Sequence, residues 1–212
     1  MPVTLLPHAL SSEQEFLDYF QVDTPDNLDP VRFVCNRATE IVEDYLDREI
    51  VSRGSLTEEH TAVSRCPSRL LLREWPVIAV ASVHENAARV FDADFLLTVD
   101  TDYIVSVPRA ELIRVSSALR WSWQGGWWAI RVVYTGGYLT AATVPNAILD
   151  AYFQIASRLW SAQSRKSWGI SSWSDDAGNF TRVSTEALPA AIERQLFTHR
   201  RLRASTGDRI AA

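Results

Sequence analysis

The chain has 212 residues, 47% of them apolar and 22% charged, and a formal net charge of −5. A chain of this size buries a real core as one large domain or two small ones, and its composition excludes the disordered and collagen-like classes. No apolar run approaches the roughly 18 residues of a membrane-spanning helix, and two cysteines, Cys35 and Cys66, are too few for a disulfide framework or a four-cysteine zinc site.

Met1 to Leu10 lacks the basic start and long apolar stretch of a secretory signal, and with so few cysteines the expectation is a reducing, cytosolic history. Ser12-Glu13-Gln14-Glu15 has the form of a capping box and opens a short helix to about Phe20, closed by the turn residues Thr24-Pro25-Asp26-Asn27. Asp29-Pro30 then starts a second helix, with Asp29 expected as the cap and proline in the first turn. Val31, Val34, Cys35, Ala38, Ile41, Val42, Tyr45 and Leu46 recur at helical spacing and predict one apolar stripe to about Arg48. From Ile50 to Tyr134 the pattern turns to short β runs, clearest at Ser68–Leu72, Val77–Val83, Phe95–Val99, Tyr103–Val107, Leu112–Ser116 and Trp127–Tyr134. Turn residues between them argue for antiparallel meanders. Gln124-Gly125-Gly126, between tryptophan pairs, reads as a hairpin tip. Thr143-Val144-Pro145-Asn146 restarts helix to about Lys166, Ser167 to Asn179 reads as a long loop, and Thr185 to about Arg203 reads as a last helix.

The predicted fold class is α+β: two N-terminal and two C-terminal helices form a helical core with a β-rich antiparallel insert between them. The expected parts are 1–49, 50–138 and 139–212, all within one compact subunit.

Charge is uneven along this order. Ser11 to Ile50 carries eleven acids against Arg32, Arg37 and Arg48, a net −8. Arg194, Arg200, Arg201, Arg203 and Arg209 against Asp208 leave the tail at +4. Solvated helix faces account for such runs, and so do complementary ends that dock head to tail or onto a partner. The overall acidity, and a tail without interleaved aromatics, argue against nucleic-acid binding.

Chemistry-bearing patterns are sparse. His8, His60, His84 and His199 are scattered, Cys35 falls on the apolar stripe, and the acid pairs Glu58-Glu59, Asp92/Asp94, Asp100/Asp102 and Asp175-Asp176 sit where turns use acids. Gly125-Gly126 and Gly136-Gly137 lack the spacing of phosphate loops. No catalytic residue, metal site or cofactor is expected. The eight tryptophans leave three readings open for Trp121, Trp123, Trp127, Trp128, Trp168 and Trp173. They are cross-strand core packing, a sugar-binding row, or a subunit or tail interface. The second supplies the alternative function, a Trp-rich β module binding carbohydrate or a receptor on a virion.

Ile130-Arg131-Val132-Val133-Tyr134-Thr135-Gly136-Gly137-Tyr138 is followed by Val144-Pro145-Asn146 opening a helix, and Leu188-Pro189-Ala190-Ala191-Ile192 leads to Arg200-Arg201. Together with the early helix from Pro30 to Arg48, this order resembles the head-to-tail connector (adaptor or head-completion) proteins of tailed bacteriophages and gene transfer agents, over roughly Asp29 to Arg203. The resemblance implies a non-enzymatic virion protein of the neck, assembled in the host cytoplasm as a dodecameric ring under the portal. Such a ring continues the DNA channel without sequence-specific binding and presents a surface to the stopper or tail. Within that expectation, Arg194, Arg200, Arg201, Arg203 and Arg209 are the candidate portal-binding residues.

Overall fold

The computed structural model describes residues 2–23, 25–62, 68–115, 122–123, 126–164, 172–174, 180–182 and 188–200. The fold is α+β, as expected, and the chain divides into two units.

The first unit, residues 2–47 and 141–200, carries the helices. Helix α1 (Glu13–Phe20) starts on the predicted capping box: Ser12 accepts from the Glu15 N–H while Glu15 accepts from the Ser12 N–H at 2.8 Å. Its Phe16 and Leu17 are buried. Helix α2 (Asp29–Leu46) begins as predicted by position but not by mechanism. Leu28 occupies the cap, and the Asp29 carboxylate accepts from the Val3 N–H at 3.0 Å. The reason lies about two and three turns further along. Asn36 takes the Leu6 N–H at 2.9 Å and Thr39 the Leu10 N–H at 3.2 Å, so polar residues of α2 satisfy the backbone of an extended N-terminal segment. The apolar stripe of α2 is buried at Val31, Val34, Cys35, Ala38, Val42 and Leu46 and half-buried at Ile41 and Tyr45.

Helix α3 (Asn146–Ser164) packs on α2 through Ile148, Ala151, Tyr152, Ile155 and Ala156, all buried. Small buried residues on both helices, Cys35 and Ala38 on α2 and Ala151 and Ala156 on α3, suit close approach. Aromatic contacts join α1 to α3, with Tyr19 stacked on Phe153 at 4.1 Å and Phe16 edge-on to Trp160 at 5.5 Å. Helix α4 (Ala190–Phe197) starts after Pro189 and buries Ile192 and Leu196. It is shorter than the predicted span, of which residues 185–187 and 201–203 lie outside the described residues. Within the predicted loop Ser167–Asn179, Ser172–Ser174 forms a strand paired antiparallel with Phe180–Arg182.

The second unit, residues 48–140, holds two three-stranded antiparallel sheets. In one, the long strand Gly126–Gly136 lies between Ser55–Ala62 and Val77–Glu85. In the other, Glu111–Arg114 lies between Arg69–Leu71 and Tyr103–Ser106. In chain order these strands are β1 (Ser55–Ala62), β2 (Arg69–Leu71), β3 (Val77–Glu85), β4 (Tyr103–Ser106), β5 (Glu111–Arg114) and β6 (Gly126–Gly136). Leu70, Val83, Tyr103, Leu112, Trp123, Ile130, Val132 and Tyr134 form one core.

Two differences from the sequence reading have clear causes. Strand β1 is Ser-Leu-Thr-Glu-Glu-His-Thr-Ala and shows no apolar alternation. Its pairing is secured by polar contacts across the ladder instead, with Glu59 taking Arg131 at 2.7 Å and Glu58 accepting from the Tyr134 hydroxyl. Phe95–Val99, predicted as a strand, is a single 3-10 turn at Ala93–Phe95 followed by isolated bridges. Asp102 claims that backbone: its carboxylate accepts from the Thr98 N–H and its own N–H donates to the Thr98 carbonyl, both at 2.8 Å.

Candidate functional site

The glycine pair that closes β6 is a packing device. A Cβ on Gly136 would lie 2.7 Å from the Glu74 Cβ and 2.8 Å from the Glu74 carbonyl. Gly137, at φ +94°, brings its Cα against the backbone of Ile50 and Ser52. Tyr134, two residues upstream, donates to Glu58 and accepts from the Glu74 N–H at 2.8 Å. The Tyr-x-Gly-Gly-Tyr run is therefore the seam along which the edge segment 72–76 and β1 are fastened to β6. Tyr138 lies under the Arg48 guanidinium at 5.7 Å, and the same guanidinium stacks on Trp75 at 3.7 Å.

The arginines expected to dock lie in the first unit as far as they are described. Arg194 is exposed on α4, where a cation suits the end of the helix dipole. Arg200 is exposed, with its guanidinium 5.3 Å from the Tyr45 ring centre. Tyr45 in turn donates to the Glu193 carbonyl at 3.1 Å, and Gln195 donates to the Ala147 carbonyl at 2.8 Å, fastening α4 to α2 and α3. Phe197 on the same helix is 61% exposed. Arg201, Arg203 and Arg209 lie outside the described residues. In the acidic front, Arg32 pairs with Glu13 at 2.5 Å and Arg37 with Glu40 at 3.0 Å, while Asp18, Asp23, Asp26 and Asp44 are exposed.

The tryptophans separate sharply. Trp123 is fully buried in the second unit's core, outside any strand. Trp127 is 77% exposed, and Trp128 is half-buried with φ 55°, its N–H donating to Thr61 beside the bulge between His60 and Ala62. Strand β6 pairs with β1 and β3 rather than with a strand ending at Trp123. Trp121 and Trp168, with Gln124 and Gly125 of the predicted hairpin tip, lie outside the described residues, and Trp173 is placed by its backbone alone, in the 172–174 strand. Trp127 is thus the one strongly exposed member among the described tryptophans, and no coplanar row forms among them.

Two features escaped the sequence reading. One is the buried carboxyl of Glu74, which is 2% exposed and which burial pushes up to about 7. The other is an open apolar groove of about 370 Å³ in the second unit, lined by residues of β3, β4 and the 96–99 segment. Ile78, Leu96, Val99 and Val107, apolar positions of the predicted strand runs, are left 42–49% exposed around it. Among the described residues, no group of three or more His, Cys, Asp or Glu is placed to hold a metal ion. Burial raises the Cys35 thiol, which removes the thiolate a nucleophile requires.

No protein-family model matches the chain, and no curated protein matches it. Solved structures do. A chain in the neck of a native gene transfer agent particle, computed with C12 symmetry, is 16% identical with a TM-score of 0.59, covering 98% of this chain and 97% of that one. A chain in the neck of an empty particle, computed with C6 symmetry, is 17% identical with a TM-score of 0.58 over the same shares. A chain from the virion of the native particle is 18% identical with a TM-score of 0.58, again over 98% and 97%. The chain shares the fold of these proteins from end to end.

Proposed function

We propose that the chain is a structural protein of the neck of a phage-like particle, forming a ring beneath the portal that joins the capsid to the tail or stopper and continues the DNA channel. The observation that carries this reading is the likeness over 98% of the chain to neck proteins, one of them computed with C12 symmetry. A fold shared over part of the chain would leave room for a grafted catalytic or binding domain; a match of this extent leaves none of comparable size. The role is architectural, and no reaction is assigned.

Three physical features support it. A ring joins each copy to the next through two different surfaces, and the chain has an acidic front and a basic end to offer. The net charge of −5 keeps a DNA channel from holding the phosphate backbone it must pass. Trp127, 77% exposed, is the type of residue that anchors an interface to a neighbouring subunit or the tail.

Portal docking falls to the basic end: Arg194 and Arg200 on and after α4, with Arg201, Arg203 and Arg209 beyond. Arg200→Glu with Arg201→Glu, combined with removal of residues from Gly207 onward, is expected to weaken capture by a purified portal ring at least about tenfold, a loss of about 1.4 kcal/mol or more. Capture of the parent chain should itself weaken as salt is raised, narrowing the difference, because exposed charge pairs are screened. Undiminished capture at low salt would remove these arginines from the interface.

A further inference from the structure

The groove of the second unit lies between two strand edges. Strand β3 is the outer strand of its sheet from Val77 to Ser82, and a backbone hydrogen bond reaches its outer side at Val83, which accepts from the Leu97 N–H at 2.8 Å. Strand β4 is the outer strand of the other sheet. The Asp102 carbonyl bonds to Val115 on β5's side, so by alternation the Val105 N–H and C=O point away from β5. Val80, Val105 and Val107 line the space between these edges. Open edges flanked by half-exposed apolar side chains are where another strand adds.

The opposite end of the β4 sheet has the matching form. Ser68 accepts from the Arg114 N–H and Leu72 donates to the Ala110 carbonyl, so Arg69 and Leu71 of β2 direct their backbone groups outward. Both are exposed, Leu71 at 47%. Charge separates the two ends. The β2 end carries Arg69, held only at 3.6 Å by Glu111, and Arg73. The groove end carries Asp92, Asp94 and Asp100, all exposed and without an ion pair among the described residues.

We propose that the groove is one half of a head-to-tail contact between copies of this chain, occupied by the β2 edge of the next copy, Arg69–Leu71. The contact repeats one sheet order, β2-β5-β4, from subunit to subunit. Leu71 of β2 enters the groove while Arg69, with Arg73 two residues beyond the strand, meets the exposed aspartates of the 92–100 segment. Two unlike surfaces on each copy are what a closed cyclic ring requires. This inference rests on the ring reading above and specifies which surfaces make it.

The test is site-directed cross-linking of the full chain in a Cys66→Ser background, which leaves Cys35 buried. Copies carrying Ala81→Cys are mixed with copies carrying Leu71→Cys and oxidised, alongside each variant alone, and the oligomeric state is followed by sedimentation. The expected result is disulfide-linked dimer in the mixture at least tenfold above either variant alone, and a ladder of linked species from a chain carrying both cysteines. Oligomers that form without mixed cross-links would overturn the groove contact and leave the ring standing. Ala81→Cys chains linking to themselves as readily as to the other variant would overturn the head-to-tail geometry. A chain that sediments as a monomer at every concentration would overturn the contact and the ring reading together.

Discussion

Replacing Trp123 by alanine is expected to lower the free energy of unfolding by about 3–5 kcal/mol, whereas Trp127→Ala leaves it within about 0.5 kcal/mol. Trp123 is completely buried and belongs to the cluster of Leu112, Ile130, Val132 and Tyr134, with the Arg114 guanidinium 5.8 Å from its ring. Truncation removes the largest side chain of that core and leaves a cavity that strands of the two sheets cannot close without moving. It also strips the cover from Arg114, which bridges Glu85 at 3.1 Å and Asp102 at 3.5 Å. Trp127 has its ring in solvent, so its loss changes little in the isolated chain; its effect belongs to assembly. Urea unfolding of the two variants measures the contrast. Equal and small losses would mean that Trp123 lies at a surface.

Stability is also expected to fall as pH rises from about 4.5 to about 7, by up to about 3 kcal/mol, because of Glu74. Burial pushes this carboxyl up to about 7; Arg73, 3.3 Å away, and Arg48 draw it down, and Glu49 adds to the rise. Its Oε2 is buried without a hydrogen-bond partner among the described residues. Across that window the folded state holds a proton that the unfolded chain has released, so each step up in pH favours unfolding. Glu58 acts in the opposite sense. Burial pulls it upward, but His60 at 3.0 Å, the Tyr134 hydroxyl and the Arg73 N–H outweigh that and leave it below the ordinary range. Its contribution is present above the ordinary carboxylate pKa and is lost as pH drops below it. Glu74→Gln, an isostere of the protonated acid, is expected to abolish the fall between pH 4.5 and 7 and to exceed the parent in urea midpoint at pH 8. A profile with the same slope in parent and variant would show that Glu74 does not carry it.

Helices α1 and α2 are legible because their starts and one face of each are marked in the sequence. The Ser12 and Glu15 box formed as read, and the stripe from Val31 to Leu46 is the buried face of α2. Asp29 was misread because an aspartate before proline satisfies a local capping rule, and nothing local reveals that a segment 26 residues upstream will claim its carboxylate. Strand β1 was illegible for a related reason. Its Glu58, Glu59 and His60 look like a solvated stretch until Tyr134 and Arg131 are brought opposite them. Trp123 and Trp127 are neighbours in sequence with opposite fates, and only the placement of β6 between β1 and β3 separates them. The groove needs two sheet edges to face each other, a relation between strands that periodicity within a strand does not encode.

The proposed function requires this chain to close into a ring at the neck of a particle. Negative-stain imaging of the purified full-length chain, alone and mixed with a portal ring, tests it most directly. The expected result is ring-shaped particles stacked on the portal with the twelvefold symmetry used for a neck of the same fold. Monomers that leave the portal bare would contradict it.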